Sequence, residues 1–172
     1  MPEEFLDQVD DEDRVIGREL RARIHQLGLR HRAAHILVFN GRAELFLQQR
    51  SLRKDCSPGL WDSSAAGHVD SGEDYDSCAR RELYEELGIN ADPAPERLFK
   101  LPASIETGQE FVWVYRCRSE GPFRLHPEEI ITGRWFASDE LDALLHERPG
   151  DFTPTLHAIW RRLAMKHSHP PP

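Results

Sequence analysis

Three glutamates, Glu82, Glu85 and Glu86, stand in a segment where Gly67 is followed after five residues by Glu73 and after seven more by Arg81-Glu82-Leu83-Tyr84-Glu85-Glu86, closing on Gly88-Ile89. On a helix the three carboxylates fall within an arc of roughly 100°, beside an apolar stripe of Ala79, Leu83 and Leu87. Like charges three and four residues apart oppose helix formation by a few tenths of a kcal/mol per pair, a penalty that a bound cation removes. Taken alone, a Glu-rich run is most often a solvated helix face. The flanking glycines change that reading, because Gly67 suits a bend where backbone approaches a ligand and Gly88 suits a left-handed helix end. Carboxylate oxygens are hard ligands and no Cys-x-x-Cys or paired-His zinc spacing lies nearby, so the expected ion is Mg²⁺ or Mn²⁺. Such ions neutralise phosphate oxygens and make water more acidic, which points to hydrolysis of a phosphoanhydride.

Two further groups of charges flank this segment. Glu73 and Arg81 are expected to form a structural ion pair bracing the loop against the helix. Arg50, Arg53 and Lys54 make a basic loop that ends on Pro58-Gly59. Three loop cations are often only a solvated surface, but here 22 Lys and Arg stand against 30 Asp and Glu, a formal net charge of -8. That balance opposes a broad electrostatic grip on nucleic acid or an anionic membrane. An anionic small molecule must then be held locally, and Arg50 and Lys54 are the expected phosphate-binding residues. Trp61, Phe111, Trp113 and Trp135 lie in strand-like runs and read as core more readily than as nucleobase-stacking residues.

These side chains need a sheet and a helix to aim them. Residues 4–18 read as a hairpin turning at Asp10-Asp11-Glu12-Asp13, followed by a helix over Glu19 to Leu27 with Leu20, Ile24 and Leu27 inward and Gly28 as cap. Ala34 to Phe39 and Glu44 to Gln49 form a strand pair joined through Asn40-Gly41, a dipeptide favoured in tight turns. Trp61 to Val69 is expected as one strand and Asp74 to Leu87 as the helix that carries the glutamates. Leu98 to Leu101, Phe111 to Cys117 and Ile131 to Phe136 are further strands. Helices from Ser138 to His146 and from Pro154 to about His167 close the chain. Strands interleaved with helices predict an α/β fold, a three-layer α/β/α sandwich around a mixed sheet. The 172 residues suit a single domain, residues 1–172, in which 1–32 form an N-terminal extension and 168–172 a disordered tail. No apolar run is long enough to span a membrane, and Met1-Pro2-Glu3-Glu4-Phe5 lacks the basic start of a signal peptide. The three cysteines, Cys56, Cys78 and Cys117, are widely spaced and expected to be reduced, so the expected compartment is the cytoplasm.

The segment from Gly67 to Ile89 matches the 23-residue Nudix box at each fixed position. Beyond it, Gly28 to Ala33, Gln49 to Lys54, Pro58 to Asp62 and Gly121 to Phe123 resemble the isopentenyl-diphosphate isomerase-like branch of Nudix proteins, over roughly residues 5–165. The resemblance implies the Nudix sandwich with an N-terminal hairpin-and-helix extension, and a divalent-metal-dependent pyrophosphohydrolase acting on nucleoside di- or triphosphates or related diphosphates. It implies that Glu82, Glu85 and Glu86 are catalytic metal ligands, that the Gly67 carbonyl adds another, and that Glu82 or Glu85 is the general base. Some family members place the base outside the box, where Glu106 and Glu110 are the candidates in this chain. In the isomerases, positions matching Arg50 and Lys54 hold the diphosphate, and those matching His31, His68 and Glu110 help bind a metal. Two departures from the resemblance count against isomerase activity: the cysteine that precedes the Gly-His pair in isomerases is Ala66 here, which has no ionisable proton, and the box that isomerases degrade is intact here, with Glu82, Glu85 and Glu86 together. Hydrolase is the leading expectation, with a catalytically silent diphosphate-ligand sensor and a prenyl-diphosphate isomerase as alternatives. Neither the nucleoside nor the oligomeric state is encoded in a recognisable way.

Overall fold

The structure is a computed structural model and describes residues 3–167. The expected disordered tail, 168–172, lies outside the described residues. The chain opens with a hairpin of β1 (Phe5–Val9) and β2 (Val15–Leu20). Its acidic turn closes locally, with Asp10 Oδ1 accepting from the amides of Glu12 and Arg14, both at 2.9 Å. Helix α1 (Arg21–Leu27) follows and ends where Gly28 takes φ 60° and donates its amide to His25. The helix is shorter than the sequence implies, because Glu19 and Leu20 remain paired with Leu6 and Phe5 in the hairpin. Ile24 is its buried residue, whereas Leu27, expected inward, is exposed.

Among the described residues the main sheet has seven strands. Its centre, β3 (His31–Phe39), runs parallel to β8 (Glu110–Arg118) along its whole length. Seven of its nine residues are buried, as expected of a strand covered on both faces. At its end β3 pairs antiparallel with β4 (Leu45–Arg50) at only two positions, Val38 with Phe46 and Phe39 with Leu45. Beyond them the strands part: β6 (Ala65–His68) pairs with β3, while β5 (Trp61–Asp62) and β9 (Ile130–Phe136) pair with β4. The single strand expected over Trp61 to Val69 is therefore two strands on different partners. Ser63 and Ser64 lie fully buried between them, and the Ser64 hydroxyl accepts from the Val38 amide at 2.8 Å and donates to the Phe46 carbonyl. β7 (Glu96–Leu101) pairs with β8 at the opposite edge. The connection from β3 to β4 is also wider than a two-residue turn. Asn40 pairs with Glu44 through the backbone, its side chain accepts from the Arg42 and Glu44 amides, and Ala43 takes the positive φ of 59°.

Two apolar clusters lie on the two faces of the sheet, which makes the fold an α/β/α sandwich. On one face Tyr75, Cys78, Ala79, Leu83 and Leu87 of α2 (Tyr75–Leu87) pack on Ala34, Ile36 and Val38. On the other, Leu141 of α3 (Ser138–Glu147) and Leu156 and Ile159 of α4 (Pro154–His167) cover Ala33, Leu37, Val112 and Val114. The hairpin is anchored by Asp13 at φ 62°, whose side chain is 7% exposed. Asp13 accepts from Arg32 at 2.6 Å, from the Tyr75 hydroxyl at 2.9 Å and from Lys100. Removing this carboxylate leaves a largely buried guanidinium without its counter-charge, so Asp13→Ala is expected to cost about 3 kcal/mol in urea unfolding. An unchanged midpoint would show that the network does not hold the hairpin in place.

Candidate active site

The parting of β3 and β4 opens a cleft of about 1630 Å³ lined by α1, the 51–60 loop, β6, α2 and the start of α4. Helix α2 begins at Asp74, whose side chain accepts from the Ser77 amide at 2.8 Å, and stops at Gly88 with φ 71°. This register presses Glu82 onto β6. A Cβ added at Gly67 would sit 2.0 Å from Glu82 Oε1, so any other residue here would displace the carboxylate from its present place. Glu82 and Glu86 are 8% and 4% exposed, whereas Glu85 is exposed. Arg81 spans the group, donating to Glu82 at 2.6 Å, Glu85 at 3.3 Å and the His68 carbonyl at 3.0 Å. It also makes a two-bond pair with Glu73 at 2.9 and 2.8 Å. Glu73 in turn accepts from the Asp70 amide at 3.0 Å, tying the loop to the helix. Glu86 turns the other way, accepting from Gln48 and from the Ala66 amide at 3.2 Å.

Burial pushes both Glu82 and Glu86 well above the ordinary carboxylate value of 4.5. For Glu82 the neighbouring charge of Glu86 adds to the effect and Arg81 opposes it; for Glu86 the opposing charge is Lys54. These groups hold protons tightly in the absence of a cation. The three glutamates do not converge to within 4.8 Å of one another in this conformation; another set does.

That set is His25, His31, His68 and Glu110. Glu110 accepts from His68 Nε2 at 3.0 Å and faces His31 Nε2 at 3.4 Å, while His25 Nε2 lies 3.3 Å from His68 Nε2. His31 is oriented by its Nδ1 against the Leu29 carbonyl at 2.9 Å. His25 Nδ1 and His31 Nε2 are buried and lack a hydrogen-bond partner among the described residues. Burial pushes His68 down to about 4, with His31 and Arg21 adding to the shift and Glu110 opposing it. Burial would raise Glu110, but the imidazoles of His31 and His68 override it and hold the carboxyl well below its ordinary range. A neutral imidazole beside an ionised carboxylate is the state a metal requires, and an N/O donor set suits a transition ion. Glu110 thus stands with the histidines and not with Glu82, Glu85 and Glu86. Sequence reasoning missed His25, although a helix that turns back at Gly28 onto a strand starting at His31 brings the two rings to 5.3 Å.

The expected phosphate-binding cations line the same cleft. Arg50 donates to Asp62 at 3.1 Å and to the Cys56 carbonyl at 2.9 Å, and Lys54 pairs with Glu129. Burial lowers the Lys54 pKa, against the raising effect of Glu86. Arg21, also missed, reaches Asp55 at 2.9 Å and His68 at 3.4 Å. Glu106 is held by Arg161 through both oxygens at 2.7 and 2.8 Å. Trp61, Trp113 and Trp135 pack against the two cores, Phe111 is buried, and none of the four lines the cleft.

The family profile of the NUDIX domain matches residues 29–156. An uncharacterized Nudix hydrolase of Yersinia pestis is 38% identical over 160 residues, covering 88% of this chain and 80% of the relative. An isopentenyl-diphosphate Delta-isomerase of Serratia proteamaculans is 34% identical over 167 residues, covering 95% and 90%. The crystal structure of DR0079 from Deinococcus radiodurans aligns with a TM-score of 0.83 at 30% identity, over 92% of this chain and 98% of that one. The intact box, the sandwich fold and these matches agree: the chain is an enzyme of the Nudix hydrolase family, similar to its isopentenyl-diphosphate isomerase-like branch.

Proposed function

We propose that this enzyme is a divalent-cation-dependent pyrophosphohydrolase that cleaves a phosphoanhydride bond in nucleoside diphosphate derivatives. The observation that carries this reading is the pressing of Glu82 onto a bare Gly67 Cα, with Glu86 buried one turn further along the same helix. Buried acids with raised proton affinity, neutralised by Arg81 and Lys54, are a donor set that a cation completes. Glu82, Glu85, Glu86 and the Gly67 carbonyl would hold Mg²⁺ or Mn²⁺; His25, His31, His68 and Glu110 would hold a second, transition-type ion. A divalent ion in such a site neutralises phosphate oxygens and makes water a better nucleophile near neutral pH.

Water attacks phosphorus, the bond to the bridging oxygen breaks, and Glu82 takes the proton of the attacking water. Glu82 is favoured over Glu110 for this role, because Glu110 is engaged by His68 at 3.0 Å and faces His31 at 3.4 Å, whereas Glu82 stands on the acidic helix beside Glu85 and Glu86. Arg50 and Lys54, released from Asp62 and Glu129, clamp the diphosphate. The isomerase reading draws on the Serratia relative and the histidine cluster. It fails at Ala66, a methyl group where proton transfer needs a thiol.

Incubation with Mg²⁺ and a panel of nucleotides, nucleotide sugars, dinucleoside polyphosphates and isopentenyl diphosphate, followed by ion-exchange chromatography, tests both readings. Release of phosphate or pyrophosphate products is expected, falling about a hundredfold or more in Glu86→Gln. Unimpaired turnover in that variant would place the site elsewhere, and formation of the allylic isomer would sink the argument from Ala66.

The buried glutamates also set a pH response. Their pKa values are raised into the neutral range on folding, so they hold protons that the unfolded chain has released, and stability falls as pH rises. Below pH 6.5 His25 and His68, both depressed, act in the opposite sense, so the informative interval is about 6.5 to 8. Over it the metal-free protein is expected to lose several degrees of Tm, with Mg²⁺ restoring more at the upper end than at the lower. A metal-free Tm that rose across this interval would contradict the assignment, as would a Glu86→Gln variant with the same slope as wild type.

A further inference from the structure

On the cleft floor lies a polar network that shares Arg50 with the reaction above but whose histidine that reaction does not use. His35 is 5% exposed and lines the cleft. Its Nδ1 is held by the Ser63 hydroxyl at 2.9 Å and lies 3.9 Å from Asp62 Oδ1. That same Asp62 oxygen accepts from the Ser63 amide at 2.8 Å and from the Thr153 hydroxyl at 2.9 Å, while Arg50 occupies Oδ2 at 3.1 Å. Ser63, Asp62 and Thr153 are 0%, 4% and 4% exposed, so four polar side chains from β3, β5, the serine pair and the start of α4 are packed as one unit. Every ring nitrogen and oxygen in it is satisfied by a neighbour except one. His35 Nε2 makes no hydrogen bond among the described residues, and it is not among the buried atoms that lack a partner. With Nδ1 anchored away from the cleft, Nε2 is the atom turned into it.

Strand register gives this nitrogen its place. His35 pairs across β3 and β6 with Ala66, and Ala33 pairs with His68, so His35 stands on the same face as the histidine cluster, two residues further along the floor. It faces the group attached to the diphosphate if Arg50, its partner through Asp62, holds the phosphates. We infer that His35, fixed by Ser63 and Asp62, is a specificity residue that hydrogen-bonds a polar group of the nucleoside and so selects nucleoside diphosphates over alkyl diphosphates. An alkyl chain laid over the floor would strip water from Nε2 and return no partner. A nucleoside offers hydroxyl, amino and carbonyl groups at that point. A site built to bond such a group rejects the analogue that lacks it far more strongly than an apolar pocket rejects an extra methylene.

This inference rests on the hydrolase reading for its substrate class, and calorimetric binding separates the two. With Ca²⁺ in place of Mg²⁺, the wild-type protein is titrated with ADP, GDP, CDP, UDP, inorganic pyrophosphate and isopentenyl diphosphate. At least one nucleoside diphosphate is expected to bind tighter than both pyrophosphate and isopentenyl diphosphate. His35→Leu is expected to weaken that nucleotide about tenfold, the worth of one hydrogen bond, while leaving pyrophosphate unchanged. His35→Gln, which keeps a polar end, recovers most of the loss. Ser63→Ala, which frees the ring without removing it, weakens the nucleotide about threefold and serves where the leucine variant does not fold. No preference for any nucleoside diphosphate in wild type overturns the assignment, as do unchanged nucleotide affinity in Ser63→Ala or equal weakening of nucleotide and pyrophosphate in His35→Leu. Tight, His35-dependent nucleotide binding without turnover in Mg²⁺ sinks the hydrolase reading alone.

Discussion

The contact between the Glu82 carboxylate and the bare Cα of Gly67 is the constraint around which the site is organised. Forcing an acid against backbone in a dry interior is costly unless something answers its charge. The answers come from different elements: Arg81 from the helix itself, Glu73 to hold Arg81, Gln48 from β4 and the Ala66 amide for Glu86, and Lys54 from the basic loop. Each is placed by an element whose own packing has other reasons. α2 sits where it does because Cys78, Ala79 and Leu83 fill one face of the sheet, and the carboxylates are carried along on its edge.

The second constraint is the parting of β3 and β4. Two strands that paired along their full length would close the floor and leave no cleft. Here pairing stops after two positions, and the buried hydroxyl of Ser64 bridges the Val38 amide and the Phe46 carbonyl where the strands part. Small polar residues suit this role because a buried amide or carbonyl left without a partner costs about 1–3 kcal/mol. The neighbouring Ser63, equally buried, turns its hydroxyl to the His35 ring instead.

How much of this was legible in the sequence follows from how local each feature is. The glutamates, the caps at Asp74 and Gly88, and the strands of β3, β8 and β9 are set by spacing within a few residues, and the reading placed them within a few positions. The Glu73 and Arg81 pair was legible as opposite charges across one loop. Trp61 to Val69 was misread as one strand because a strand's partner is chosen by distant residues, and here two partners compete for adjacent segments. His25 was invisible as a ligand because nothing about one histidine on a short helix shows which strand the helix folds back against. Leu27 looked inward by period alone, but seven residues are too few for a full apolar face once the hairpin claims Leu20. The floor network was the least legible of all. His35, Asp62, Ser63 and Thr153 span more than a hundred positions and meet only when α4 docks on the sheet.

The relation between the hydrolase and isomerase frames turns on the same floor. Ala66 and His35 face each other across β3 and β6, so the position of the isomerase's thiol and the proposed hydrogen-bonding nitrogen are cross-strand neighbours. A thiol acting on an alkene needs an apolar surround that keeps its proton from water and leaves the alkyl chain unopposed. A buried imidazole held by the Ser63 hydroxyl beside Asp62 supplies the reverse, a polar surface with one ring nitrogen open for hydrogen bonding. The proposed His35 contact and the position that carries the thiol in the resembling isomerases thus meet at one point of the floor. Retention of Glu82, Glu85 and Glu86 on α2 supports the proposed attack by water, which draws on the acidic helix, over acid-base work at an alkene, which draws on the floor.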